Sequence, residues 1–180
     1  MRQIPPACFA LLTLSFLGCS GKSAKEFTYL EKPTVLITEV HYAPSAEQGD
    51  SEFIEIANVT DLPLDLEGWQ VTGAGRVSLP AGTSLKSKGA LVLCRKGGDF
   101  PTLYTDVQPA AFFEGKLSNK KGEVLRVEDP HGRVADEAAY DPVDAKVQEA
   151  AKTGKSLHRA KVLPVVWRVS EPSPGRLKSR

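Results

Sequence analysis

Four carboxylates crowd one short stretch of the chain: Glu39, Asp50, Glu52 and Glu55. Gathered on one surface they would suit calcium, which takes several hard oxygen ligands. No Asp-x-Asp-x-Asp-Gly loop accompanies them, so the expected reading is strand faces open to water, or partnership with Lys and Arg, and not a metal site. His41, His131 and His158 are far apart and have no Cys at ligand spacing, so no metal set is expected. His131 falls in an Asp129 to Gly132 turn and reads as surface. Neither a Gly-x-Ser-x-Gly elbow, a P-loop nor a His-Glu-x-x-His run is present, and Gly73-Ala74-Gly75 opens no helix that would cradle a phosphate. A Ser-His-Asp set can be drawn from the composition, but nothing in the spacing places its members together. The expectation is a chain that is no enzyme and carries no cofactor.

The basic residues are the sharper candidates. Lys86 and Lys88 with Lys120 and Lys121, joined by Arg95 and Lys96 near Phe100 and Tyr104, would form a loop patch able to contact nucleic acid. Such clusters also serve as solvated edges that discourage sheet-to-sheet pairing. The whole chain gives no supporting field, because 23 Lys and Arg face 22 Asp and Glu for a net charge of +1. DNA binding is therefore the second reading, not the first.

With 180 residues, the chain suits one domain and its appendages. Residues 1–18 read as a signal peptide, since the apolar run Ala7 to Leu17 is too short for a bilayer span of about 20 residues. Phe16-Leu17-Gly18-Cys19 resembles the lipobox of bacterial lipoproteins, in which the Cys becomes the acylated N-terminus. Phe16 and Leu17 depart from its usual Leu and small residue. The expected address is the extracytoplasmic side of a bacterial membrane, with the domain lifted off by a polar linker over residues 19–33 onto which Phe27 and Tyr29 could dock. Cys8 leaves with the signal and Cys19 takes the lipid. Cys94 then remains as a lone thiol, ending the apolar strand Ala90 to Cys94 and reading as a small hydrophobe.

These residues need a frame, and the pattern supplies one. Thr34 to Tyr42 is a β-branched strand whose alternation puts Leu36, Thr38, Val40 and Tyr42 on the core side. Ser51 to Asn58 and Leu64 to Thr72 follow, with Ile54 and Ile56 expected inward. Short strands recur at Arg76 to Leu79, Ala90 to Cys94, Glu123 to Glu128, Arg133 to Tyr140, Ser156 to Arg159 and Val165 to Ser170. Gly, Pro, Asn and Asp sit at the joints, a rhythm that says sandwich or barrel. One helix is expected after Asp141 as cap and Pro142 at its first position, with a Val143, Val147 and Ala150 stripe and a Gly154 stop. Glu171-Pro172-Ser173-Pro174-Gly175 reads as the end of structure, and residues 176–180 as a basic tail.

Several segments, in this order, are similar to the lamin tail domain family: the strand ending Thr38-Glu39-Val40, Glu52 to Asn58, Leu64-Asp65-Leu66-Glu67-Gly68-Trp69, Leu79-Pro80-Ala81-Gly82-Thr83, Leu117-Ser118-Asn119 with Gly122, Asp136 to Tyr140, Ser156 to Arg159, and Trp167 to Gly175. The resemblance covers roughly residues 33 to 175 and implies an all-β, immunoglobulin-like sandwich acting as an interaction module. It implies protein or chromatin partners in animal lamins, and secreted proteins in bacteria, often beside nuclease or hydrolase domains. Thr38 stands where the family often has Asn, and Pro142 to Lys152 looks inserted. Physically, Trp69 is expected in the core with Gly68 permitting close backbone approach, and Trp167 as the seal of one end. The leading expectation is a membrane-tethered binding or scaffolding module for a protein or cell-envelope partner.

Overall fold

The computed structural model describes residues 26–73 and 75–177. The expected leader, Cys19, the linker up to Lys25, Ala74 and the last three residues of the tail lie outside the described residues. Twelve strands are described: β1 (Val35–His41), β2 (Phe53–Asn58), β3 (Leu64–Asp65), β4 (Gln70–Thr72), β5 (Arg76–Ser78), β6 (Ser84–Leu85), β7 (Ala90–Arg95), β8 (Ala111–Phe113), β9 (Glu123–Glu128), β10 (Val134–Tyr140), β11 (Ser156–Lys161) and β12 (Val166–Ser170). Two helices join them, α1 (Phe100–Leu103) and α2 (Ala145–Thr153). One sheet runs β12-β11-β1-β2-β7-β8, a second runs β10-β9-β4-β5, and β3 pairs with β6. This is an immunoglobulin-like β-sandwich.

The core between the sheets takes Ile37, Val40, Ile54, Ile56, Leu93 and Leu157 from one side and Val71, Leu125, Val127 and Ala138 from the other. Ile54 and Ile56 thus point inward as the alternation requires. In β1 the alternation breaks. A bulge between Ile37 and Glu39 shifts the register, so Val35 and Ile37 face the core before it, and Val40 and Tyr42 after it. The expected face of Leu36, Thr38, Val40 and Tyr42 is therefore wrong in its first half, because a uniform period of two cannot survive an extra residue. β11 pairs with β1 only at Glu39 and Val40. Beyond that point side chains replace the ladder: Ile37 N–H donates to Asp136 Oδ2 at 2.8 Å, and Arg159 donates to Ile37 O while pairing with Asp136.

Trp69 is half-buried on the rim of the core, not at its centre. Gly68 is needed for its φ of 72°; a Cβ there would meet only Pro130, at an ordinary 3.7 Å, so close approach is not the reason. Trp167 Nε1 donates to Ala139 O at 2.8 Å, joining edge strand β12 to edge strand β10 and closing one open side of the sandwich. Helix α2 begins three residues later than Pro142 suggests. Asp144 is its cap, accepting from the Lys146 N–H at 2.7 Å, while Asp141 shapes the preceding turn and Val143 is exposed. Val147 and Ala150 do form its buried stripe, so the helix packs on the sandwich by that face. Gly154 ends it at φ 64°, where a Cβ would lie 2.7 Å from that of Ser45.

Part of the expected linker belongs to the fold. Thr28 and Leu30 exchange backbone hydrogen bonds with Val134 on β10, Phe27 lies under the Arg126 guanidinium, and the Tyr29 hydroxyl donates to Glu137. Phe100 and Tyr104 fold back as expected, Phe100 from the start of α1 and Tyr104 from its C-cap, both meeting the Phe53 ring edge-on. Phe53, Val92, Cys94 and Phe100 make a second, smaller core on the outer face of the six-stranded sheet. Cys94 is fully buried there, and burial pushes its thiol up to about 11, so it behaves as the small hydrophobe expected.

Candidate functional site

The outer face of the six-stranded sheet carries a row of buried polar side chains. Strand register lays Arg168, His158, Glu39, Glu55 and Val92 side by side across β12, β11, β1, β2 and β7. Two carboxylates thus stand directly opposite one another on neighbouring strands, where like charges oppose folding. Glu39 is 1% exposed and Glu55 2% exposed. Burial pushes the Glu39 carboxyl up to about 7, with Glu55 adding to the rise and donors from Ser173 and Ser156 working against it. Burial raises Glu55 as well, opposed by Thr38 and the backbone of Gly175.

The donors that make this tolerable come from the segment expected to be the end of structure. Residues 171–177 cross the outer face as a strap. Ser173 donates to Glu39 through its N–H (3.0 Å) and its hydroxyl (3.1 Å), and Gly175 N–H donates to Glu55 Oε2 at 2.9 Å. Thr38 Oγ1 donates to Glu55 Oε1 at 2.6 Å. His158 Nε2 lies 3.1 Å from Glu171 O and 3.4 Å from Glu39 Oε1, and Lys155 pairs with the Glu171 carboxylate at 3.0 Å. Two Pro residues flank Ser173, and a turn closed by the Arg176 N–H on Ser173 O at 3.1 Å follows, with Gly175 at φ 74°; a reading that treats Pro and Gly only as terminators misses such a cover. The available signal is Glu39 and Glu55 in strands otherwise built for burial, Glu55 between Ile54 and Ile56; such carboxylates require donors from somewhere.

Beside the pair, Ser156 Oγ lies 3.2 Å from His41 Nδ1 and also bonds the Glu39 carboxylate. The fold therefore does assemble a Glu, a Ser and a His. Their order is wrong for nucleophilic catalysis: serine sits between the other two, whereas a triad needs histidine between serine and carboxylate. Ser156 and His41 are both fully buried, and burial drives the His41 imidazole down to about 4. The trio works as internal bracing.

The remaining carboxylates are dispersed. Asp50 pairs with Arg95 and Lys116, and Glu52 accepts from the Leu117 N–H at 2.9 Å. Among the described residues no three His, Cys, Asp or Glu side chains gather as metal donors. The lysines do not meet either. Lys86 and Lys88 lie by Asn58, at the Ala57 end of β2, with Lys88 bound to Val59 O and Asp61. Lys120 and Lys121 follow Leu117 and Asn119, which approach Glu52 and Tyr42 at the opposite end. The length of β2, about 20 Å, separates them, so the expected single patch is two small ones.

A cleft of about 260 Å³ opens where the strap leaves the sheet. Leu36, Ala57 and Leu177 contribute its apolar lining, and Lys88, Arg159, Arg168 and Arg176 also lie along it. None of the arginines was singled out from sequence, because they meet only through the register of β11 with β12 and the return of the strap.

The family model for the Lamin Tail Domain matches residues 30–142, more than half of the chain. This chain belongs to the lamin tail domain family. No curated protein matches it. The matched span of the lamin tail domain ends before α2, and β11 and β12 complete the six-stranded sheet beyond it.

Proposed function

We propose that this lamin tail domain is a non-catalytic binding or scaffolding module, held at the extracytoplasmic face of a bacterial membrane by an acyl chain on Cys19, where it engages a protein or cell-envelope partner. The observation that supports it best is the family match over an immunoglobulin-like sandwich, a fold that serves typically for binding. The buried Glu39, Ser156 and His41 set fits the same reading, since its polar atoms brace the sheet and the strap. The Phe16 to Cys19 sequence supports the anchor. Among the described residues no helix is long and apolar enough to cross a membrane.

Fractionation of cells making the full chain tests the anchor: Cys19→Ser moves the protein from the membrane to the soluble fraction, and an unchanged distribution contradicts lipidation. Capture from the native envelope with the anchored full chain tests the module, the expected result being a saturable envelope or protein partner. Turnover of an ester, phosphoester or glycan substrate that one side-chain change abolishes would contradict the non-catalytic reading.

A further inference from the structure

We infer that the cleft beside the C-terminal strap is a binding site for a small oxyanion with a short aliphatic body, an alkyl carboxylate or an alkyl phosphate. The inference goes beyond the scaffolding role and does not depend on the lipid anchor.

The charge balance of the lining points this way. Arg159 is committed to Asp136, and Lys88 to Asp61 and Val59 O. Arg168 and Arg176 form no ion pair among the described residues. Arg168 goes further: its Nε is shut off from solvent and has no hydrogen-bond partner among the described residues. The burial that keeps water from that Nε also keeps a ligand oxygen from it, so what Arg168 offers the cleft is the rest of a guanidinium that no carboxylate pairs with among the described residues. The fork geometry of guanidinium matches carboxylate and phosphate oxygens two at a time. The one carboxylate in the lining, Glu55, accepts from Thr38 on one oxygen and from Gly175 on the other and forms no ion pair with the arginines among the described residues.

Shape supplies the second half. At about 260 Å³ the cleft falls just below the range of drug-sized sites, about 300–1,000 Å³. Leu36, Ala57 and Leu177 give it an apolar wall that free inorganic phosphate would leave uncovered. An oxyanion head on the arginines with a few methylenes along this wall uses both features.

Titration of the full chain with four probes tests this: hexanoate, hexyl phosphate, inorganic phosphate and hexan-1-ol, followed by calorimetry and by amide shifts around Arg168 and Arg176. Hexanoate or hexyl phosphate saturates the site, each at least about tenfold tighter than inorganic phosphate or hexan-1-ol, and the tighter of the two identifies the headgroup. Arg176→Gln, an exposed change on the strap, weakens binding about tenfold at unchanged melting temperature, and Arg168→Met weakens it further. Should Arg168→Met fail to fold, the Arg176→Gln result decides alone. No saturation by either alkyl anion, or equal binding by the Arg176→Gln protein, overturns the site. Cys19→Ser leaves binding intact, so failure of the anchor and failure of the cleft are read separately.

Discussion

The two faces of the six-stranded sheet are buried to similar depth by opposite means. The inner face is aliphatic and packs against a second sheet: Ile37, Ile54, Ile56, Leu93 and Leu157 are all within 1% of full burial. The outer face carries Glu39, Glu55, His41 and His158 beside Phe53 and Val92, and it is covered by α1 and a single strap of chain. Apolar packing needs only shape and area, whereas a buried polar row needs a donor for each acceptor. The inner face therefore sets the fold, and the outer face sets where the C-terminal segment must go.

The largest effect belongs to the inner face. Ile54→Ala or Leu157→Ala removes buried methyls from a close-packed layer and lowers unfolding free energy by about 2–5 kcal/mol, read by urea titration. A loss below about 1 kcal/mol at both sites would erase the contrast between the faces.

Next comes a pair of opposed pH effects on the outer face. Glu39 holds its proton up to about 7 in the folded chain against an ordinary 4.5, so the unfolded chain binds fewer protons between those values. Stability from this group falls as pH rises through that window. His41 is held down at about 4 against 6.5, so the unfolded chain binds more protons there, and stability from this group rises with pH from about 4 to 6.5. The two nearly cancel in the native protein. Relative to it, Glu39→Gln makes stability climb from pH 4.5 to 7 and His41→Gln makes it drop from pH 4 to 6.5, each by about 3–4 kcal/mol at most. Glu52, Glu55 and Asp136 are also raised by burial and act in the same direction as Glu39, which is why the comparison is with the native profile. Parallel profiles for both variants would show that neither group is charged differently in the fold.

The smallest effect sharpens the contrast from outside it. Lys86, Lys120 and Lys121 are exposed and touch neither face, so changing all three to Gln moves stability by no more than about 0.5 kcal/mol. Because Lys86 sits at one end of β2 and Lys120 and Lys121 at the other, neutralising either end alone lowers any duplex-DNA retention at low salt only in part. A complete loss from one end only would mean that one small patch suffices.

What the sequence revealed follows the same division. Alternation in β2 located the inner face, and turn residues located the strand joints, because both are local consequences of chain geometry. The bulge in β1 was hidden, since it depends on Asp136 and Arg159 arriving to satisfy Ile37 where β11 diverges. Trp69 was drawn to the core by its size, yet the turn through Gly68 leaves it on the rim. Locally the strap looks like an exit because Pro and Gly end structure; its role is set by two carboxylates more than a hundred residues earlier. The cleft depends on that same long-range return, so no spacing rule could announce it.

Native-state hydrogen exchange at the Ser173 and Gly175 amides tests the central claim most directly, because each donates to a buried carboxylate on the outer face. If the strap is an integral cover, both amides exchange within about a hundredfold of the β1 amide of Ile37. Exchange at the rate of an unprotected loop would show that the outer face stands open and that the cleft has no wall on that side.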